Sequence, residues 1–327
     1  MLEPMRLLDS DRMAFVERPV ASFARVEKQI SVSLEHALAD GGPEAFVRRM
    51  FEPVAAMTPS EWAKAPARLN HDVEKRRRQI ARLPSGHALL DLIDATHERV
   101  RNGPLLAILH PERHGKAGLA ACGRALRVRV SRGESRIEAT LEAIAFIWES
   151  VYQPYLQSVW KLLEVLDGRA PSIMPTGGKL MRNMEERLAG KFPLLVEPSA
   201  LRIRDAVAHR HVELRLAHGA VMLANKDGWG ASFRVRELEV VMRTMLCVST
   251  RTFVDAMNTF SMGAVMGPLL PVLPAFARAV VAADQGEIER TGALFKAQED
   301  AIWREVASLC GHGPASSTSP RAAPRAR

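Results

Sequence analysis

Arg204, Asp205, His209 and His211 fall within the stretch Glu197–Glu213, EPSALRIRDAVAHRHVE, and bring together side chains that can grip an anion and move a proton. Arginine stays charged and offers a planar fork of donors to phosphate, whereas imidazole gains and loses its proton near neutral pH. Asp205 and His209 are spaced i,i+4, so on a helix the carboxylate can hold the imidazole in one tautomer. Arg204 and His211 make a second vertical pair two turns apart, with small Ala208 between the rows. Metal-independent RNA cleavage asks for these residue types. A base takes the 2′-hydroxyl proton, an acid serves the leaving 5′-oxygen, and fixed positive charge steadies the phosphorane between them.

Pro198 and Ser199 supply a helix start, and Ala, Leu, Ile and Val dominate until an alternation begins at Val212. At about 100° per residue, Ala200, Ile203, Ala206 and Val207 share one side, and Arg202, Arg204, Asp205, Ala208, His209 and His211 take the other arc. Val212–Leu216 alternates apolar and polar residues. A turn at His218-Gly219 leads to a second run over Ala220–Leu223. Asn225-Lys226-Asp227-Gly228 precedes a third run, Ser232–Val235, and a helix follows from Arg236.

The spacing Arg204, polar Asp205, then His209 resembles the R-x(4–6)-H motif of the HEPN superfamily, helical domains found in bacterial toxins, CRISPR effectors and other RNA-cleaving proteins. The small hairpin after the motif helix and the closing helix are similar to that family too, and the resemblance covers roughly residues 134–260. It implies a metal-independent endoribonuclease in which Arg204 stabilises the phosphorane, His209 transfers a proton and Asp205 orients His209. It implies no cofactor. On a single helix Arg204 and His209 lie about 140° apart. In the family two motif helices face each other in a dimer, so the resemblance implies a homodimer with a composite site. No second R-x4-H helix of comparable context occurs in the chain. Arg202, His211 and Trp229 are binding candidates, with Trp229 in a Gly-Trp-Gly turn where an aromatic ring could stack on a base. His211 competes with His209 for the proton-carrier role. Two other readings stay open: a non-catalytic HEPN-like module that binds RNA or a protein partner such as an antitoxin, and a structural dimerisation domain in which these side chains form an interface network.

The chain has 327 residues, 47% of them hydrophobic, enough for sizeable cores. Abundant Leu and Ala with thinly spread glycine favour helices. Lys and Arg exceed Asp and Glu by eight and the pI is about 9.8, which suits RNA, although arginine-rich codon usage yields the same excess. Cys122, Cys247 and Cys310 lack ligand spacing, so a reduced cytoplasm is expected and no metal site. The histidines His110 and His114, in an apparent loop, have no Cys or acidic pair at ligand spacing. No apolar run reaches the roughly 20 residues needed to cross a bilayer, so no membrane association is expected.

The expected fold is mainly α, a helical bundle with a small β-hairpin appendage preceded by an all-helical N-terminal region. Residues 1–132 form the N-terminal domain, with helices over Ala21–Ala39, from Pro43 to Met57, from Pro59, over His87–Val100 and over Lys116–Val130. Thr58 with Glu61 reads as an N-cap. Lys75-Arg76-Arg77-Arg78 is the densest basic run, read as a solvated face ahead of a phosphate patch. Ser131-Arg132-Gly133 marks the boundary to the HEPN-like domain, 134–260. That domain opens with a long helix, Glu134–Leu166, which Pro154 should kink or split. Gly- and Pro-rich Met262–Pro274 separates two last helices, in 261–310. Residues 311–327 are a disordered basic tail.

Overall fold

A computed structural model describes residues 42–108, 111–169, 177–188, 199–208, 212–215, 220–224 and 230–309. The expected first helix over Ala21–Ala39 and the tail 311–327 lie outside the described residues. Among the described residues four helices come first: α1 Gly42–Ala55, α2 Pro59–Ala63, α3 Ala65–Ala81 and α4 Gly86–Arg99. Thr58 caps α2 as its sequence requires. Its backbone N–H donates to Glu61 Oε2 at 2.7 Å, and Glu61 N–H donates to Thr58 Oγ1 at 3.3 Å. The α3–α4 turn needs a glycine, because a Cβ on Gly86 would sit 1.8 Å from the Ile80 carbonyl oxygen.

After a buried 3₁₀ turn at Gly103–Ala107, α5 runs over Pro111–Val130. His114 is therefore a helical residue rather than part of a loop. α6, Gly133–Ile147, continues through a π turn at Trp148–Tyr152 into α7, Gln153–Leu166. Pro154 does not split this helix. It sits in the first turn of α7, directly after the π turn, in which Gln153 N–H reaches five residues back to the Trp148 carbonyl. The Ser150 hydroxyl donates to the Phe146 carbonyl at 2.6 Å, supplying an acceptor in the interrupted ladder with a partner.

α8 spans Gly177–Leu188 and α9, the motif helix, Ser199–Ala208. The expected hairpin is a three-stranded antiparallel sheet, β1 Val212–Arg215, β2 Ala220–Ala224 and β3 Gly230–Arg234, with β2 central. Val221 pairs with Leu214 on one side and Phe233 on the other, and both Val221 and Leu223 point into the core. β3 runs straight into α10, Val235–Cys247, where Arg234 N–H donates to Glu237 Oε2 at 2.7 Å. A second π turn, Val248–Thr252, joins α10 to α11, Phe253–Ser261. Ser249 and Thr250 hydroxyls donate to the Met245 and Leu246 carbonyls, each at 2.6 Å.

Met262–Pro274 itself takes up helical structure. It is a third π turn, Met262–Met266, then a short α12, Gly267–Leu269, and the start of α13, Leu273–Ala282. α14 is Gln285–Leu309. Phe51 on α1, Phe276 on α13 and Phe295 on α14 stack in series, at 5.4 and 5.8 Å between centroids, so the first described helix packs with the last ones.

One hydrophobic core runs from Ile80 to Met257, and the helices on both sides of Gly133 contribute to it. The expected boundary at Ser131-Arg132-Gly133 therefore falls inside a single core. Leu89 and Ile93 of α4 share it with Ile144 and Trp148 of the long helix, because α4 packs on α7 and α5 on α6. Two buried glutamates tie helices distant in sequence. Glu239 of α10 accepts from Arg136 Nε of α6 at 2.6 Å, and Glu164 of α7 accepts from Arg187 of α8 at 2.6 Å. Among the described residues no single helix is long and apolar enough to cross a membrane.

Equilibrium unfolding should give one transition, coincident by tryptophan fluorescence and by circular dichroism, since Trp148 and the N-terminal helices share a core. Two separated transitions would show that the chain divides near Gly133. His114 supplies a pH test. Its Nε2 donates to the Ser249 carbonyl at 3.1 Å, and its Nδ1 is buried without a hydrogen-bond partner. Burial holds its pKa below the ordinary 6.5 despite the bond to Ser249. Protonation thus favours the unfolded chain, and the stability it opposes is whole above about pH 6.5 and falls as pH drops through the folded-state value. His114→Gln should flatten that part of the melting-temperature profile between about pH 7.5 and 5.

Candidate functional site

α9 is positioned by its apolar side. Ala200, Ile203 and Ala206 are fully buried against α6, α10 and β2, the face their spacing predicts, with Val207 half-buried beside them. The opposite arc carries Arg202, Arg204 and Asp205, all half-buried. Of the residues expected to act, the structure thus places Arg204 and Asp205 side by side at the edge of the bundle, and Arg202 on the same helix. His209, His211 and Trp229 lie outside the described residues.

A third residue completes the described cluster, and the motif does not contain it. Glu149 sits in the π turn of the long helix and takes two bonds from Arg204, one from Nε at 2.8 Å and one from Nη2. Arg204 Nη1 donates to Asp205 Oδ1 at 2.9 Å. Burial opposes the guanidinium charge, but the bonds to Asp205 and Glu149 outweigh it and raise the Arg204 pKa above the ordinary arginine value. The arginine is a fixed cation whose Nε and Nη2 both donate to one anionic oxygen, Glu149 Oε1, and the same donors can serve a phosphate oxygen. Asp205, expected to orient His209, accepts from Arg204 here. The side chains of Arg204, Asp205 and Glu149 are 33%, 32% and 50% exposed, so the cluster is open to a ligand.

Glu149 escapes a reading of sequence because it stands 55 residues before Arg204 and belongs to an ordinary amphipathic helix. The one available sign is Pro154 shortly after it, since a proline inside a helical pattern signals irregular backbone nearby.

The densest basic run is partly neutralised by the fold. Arg77 forms an ion pair with Asp94 of α4, Arg78 lies 3.8 Å from Glu74, and Arg76 faces Asp255. Cys122 and Cys247 are buried free thiols, and burial pushes Cys122 up to about 11. Among the described residues no group of three His, Cys, Asp or Glu side chains is arranged to hold a metal ion. No protein-family model matches the chain, and neither a curated protein nor a solved structure matches it.

The Arg204–Glu149 pair is half-exposed, and pairs of that kind contribute under about 1 kcal/mol. Glu149→Gln should accordingly leave the urea midpoint nearly unchanged. A loss of several kcal/mol would mean that the pair holds α9 to the bundle.

Proposed function

We propose that the chain is a HEPN-like, metal-independent endoribonuclease acting through a composite site in a two-fold dimer. The observation that carries this reading is the placement of the motif's first two residues. Arg204 and Asp205 are adjacent on the accessible arc of the helix described over Ser199–Ala208. The three-stranded sheet and closing helix that follow the motif helix in the chain support the same reading.

In this scheme Arg204 stabilises the phosphorane with a fork matched to two of its oxygens, His209 transfers the proton, and Asp205 orients His209. Products would carry 2′,3′-cyclic phosphate ends. The second protomer supplies the groups that one helix cannot bring to the same phosphate, and the dimer axis then passes near Arg204.

A specific observation favours the second reading, a non-catalytic HEPN-like module that binds RNA or a protein partner. Arg204 is shared between two carboxylates, Glu149 and Asp205, so a phosphate entering its fork must displace at least one of them. A cation held this way can serve an interface network without doing chemistry.

Incubation of the purified protein with RNA in EDTA separates the two. Cleavage should persist in EDTA, fall roughly 10²-fold or more in His209→Ala, and fall in Arg204→Lys, which keeps the charge and loses the fork. His211→Ala distinguishes the competing proton carrier. Wild-type rates in folded Arg204 and His209 variants, or abolition by EDTA, would overturn the nuclease reading. Sedimentation should show a dimer at micromolar concentration, and a monomer would remove the composite site.

A further inference from the structure

Helix α1 leaves the middle of its apolar face uncovered. Phe46, Val47, Met50, Phe51 and Val54 fall within an arc of about 140°, and Glu44, Arg48, Arg49 and Glu52 take the rest. Phe51, at one edge of the arc, meets Phe276 of α13 at 5.4 Å, and α13 is the described element that packs along α1. Met50 and Val47, near the middle of the arc, are 60% and 42% exposed, and among the described residues of α1 none is buried. In α9, by contrast, Ala200, Ile203 and Ala206 are fully buried along the apolar face. The amphipathic α1 is thus packed along one flank only. An apolar surface left open in this way marks a place where something binds.

The segment that leads into α1 fits this face. Ala21–Ala39, outside the described residues, carries Phe23, Val26, Ile30, Leu34 and Leu38 at helical spacing, within an arc of about 120° that holds Glu27 as its one charge. Wound as a helix it would be about 28 Å long, against about 21 Å for α1, at 1.5 Å per residue. Only Asp40 and Gly41 separate it from Gly42, whose φ of +78° is the left-handed conformation that lets a chain reverse beside a helix. A connection that short joins antiparallel neighbours. With the reversal at Asp40-Gly41, Leu34 comes level with Val47 and Ile30 with Met50, to within about one turn.

We propose that Ala21–Ala39 folds back as an antiparallel helix onto the open face of α1 and covers Val47 and Met50 with Ile30 and Leu34. The tether decides between occupants. A segment joined through two residues meets its target at an effective concentration in the mM range, far above the micromolar concentrations at which a second copy would compete. A lipid surface suits the face less, because acidic Glu44 and Glu52 stand among the polar residues of α1, where a lipid-binding helix carries mainly Lys and Arg. The hairpin bears on α13 through Phe51, and α13 bears on α14 through Phe276 and Phe295 at 5.8 Å. A segment that precedes the first described helix therefore steadies the last two.

Disulfide trapping in the full chain tests this, in a Cys310→Ser background that keeps the buried thiols Cys122 and Cys247. Leu34→Cys with Val47→Cys and Ile30→Cys with Met50→Cys bracket the register, and on mild oxidation at least one pair should link within a single chain, as located by peptide mass mapping. His36→Cys with Val47→Cys puts the first thiol at the same level on the opposite side of the helix and should link at least about tenfold less. Ile30→Asp should lower the urea midpoint, whereas Gln29→Asp, the same new side chain on the polar arc, should leave it in place. Yields no higher than that of the His36 pair, or an unchanged midpoint in Ile30→Asp, overturns the proposal. Disulfides that join two chains overturn it in favour of a second copy. Binding to phosphatidylserine vesicles that Met50→Asp abolishes overturns it in favour of a lipid surface. If Ile30→Asp does not fold, the disulfide yields decide alone.

Discussion

Four aromatic rings fix the relation between the two long helices. Trp148, Tyr152 and Tyr155 follow one another at 5.6 Å between centroids along one helix, and Phe253 of the other closes on Tyr155 at 5.3 Å. All four are buried to within 1% of completely. Aromatic side chains bury the largest apolar areas of any residue, and removing one from a core costs about 3–5 kcal/mol. The column therefore fixes the backbone on which Trp148 points inward and Glu149, the next residue, points outward to Arg204. The candidate site inherits its geometry from the core behind it.

Charge plays two roles in this framework. Glu239 and Glu164 are buried, and each lies between two arginines, Arg136 with Arg243 and Arg169 with Arg187. A buried carboxylate stripped of its partners is strongly destabilising even where the intact pair adds little net stability, so these contacts specify which helices meet. The pairing also consumes basic residues that composition alone would credit to RNA.

Legibility in the sequence followed the range of the interaction. The apolar face of α9, the inward residues Ile137, Leu141, Ile144, Ile147 and Trp148, and the Thr58–Glu61 cap are set by neighbours within a few turns, and their spacing revealed them. The three strand-like runs were legible as alternation, but their pairing into one sheet was not. Glu149, 55 residues from Arg204, and Arg136, 103 from Glu239, meet only once the helices pack. The stretch Ser131–Gly133 is ambiguous in sequence for a related reason: a tight turn between consecutive helices carries the same polar and glycine signal as a linker between domains. Only the shared burial of residues on both sides distinguishes them.

The π turns have a consequence for how the chain tolerates changes in length. A π turn accommodates one residue more than an α-helix advancing the same distance. Deleting one residue from Trp148–Tyr152 would return that turn to α geometry and leave α7 facing the core as before. The same deletion between Ala139 and Ala145 would swing everything downstream by about 100° and carry Tyr155 off the aromatic column. The first long helix thus holds one residue of slack, in the turn that carries Glu149, and the second holds two, one in the turn whose Ser249 carbonyl His114 binds and one at Met262–Met266.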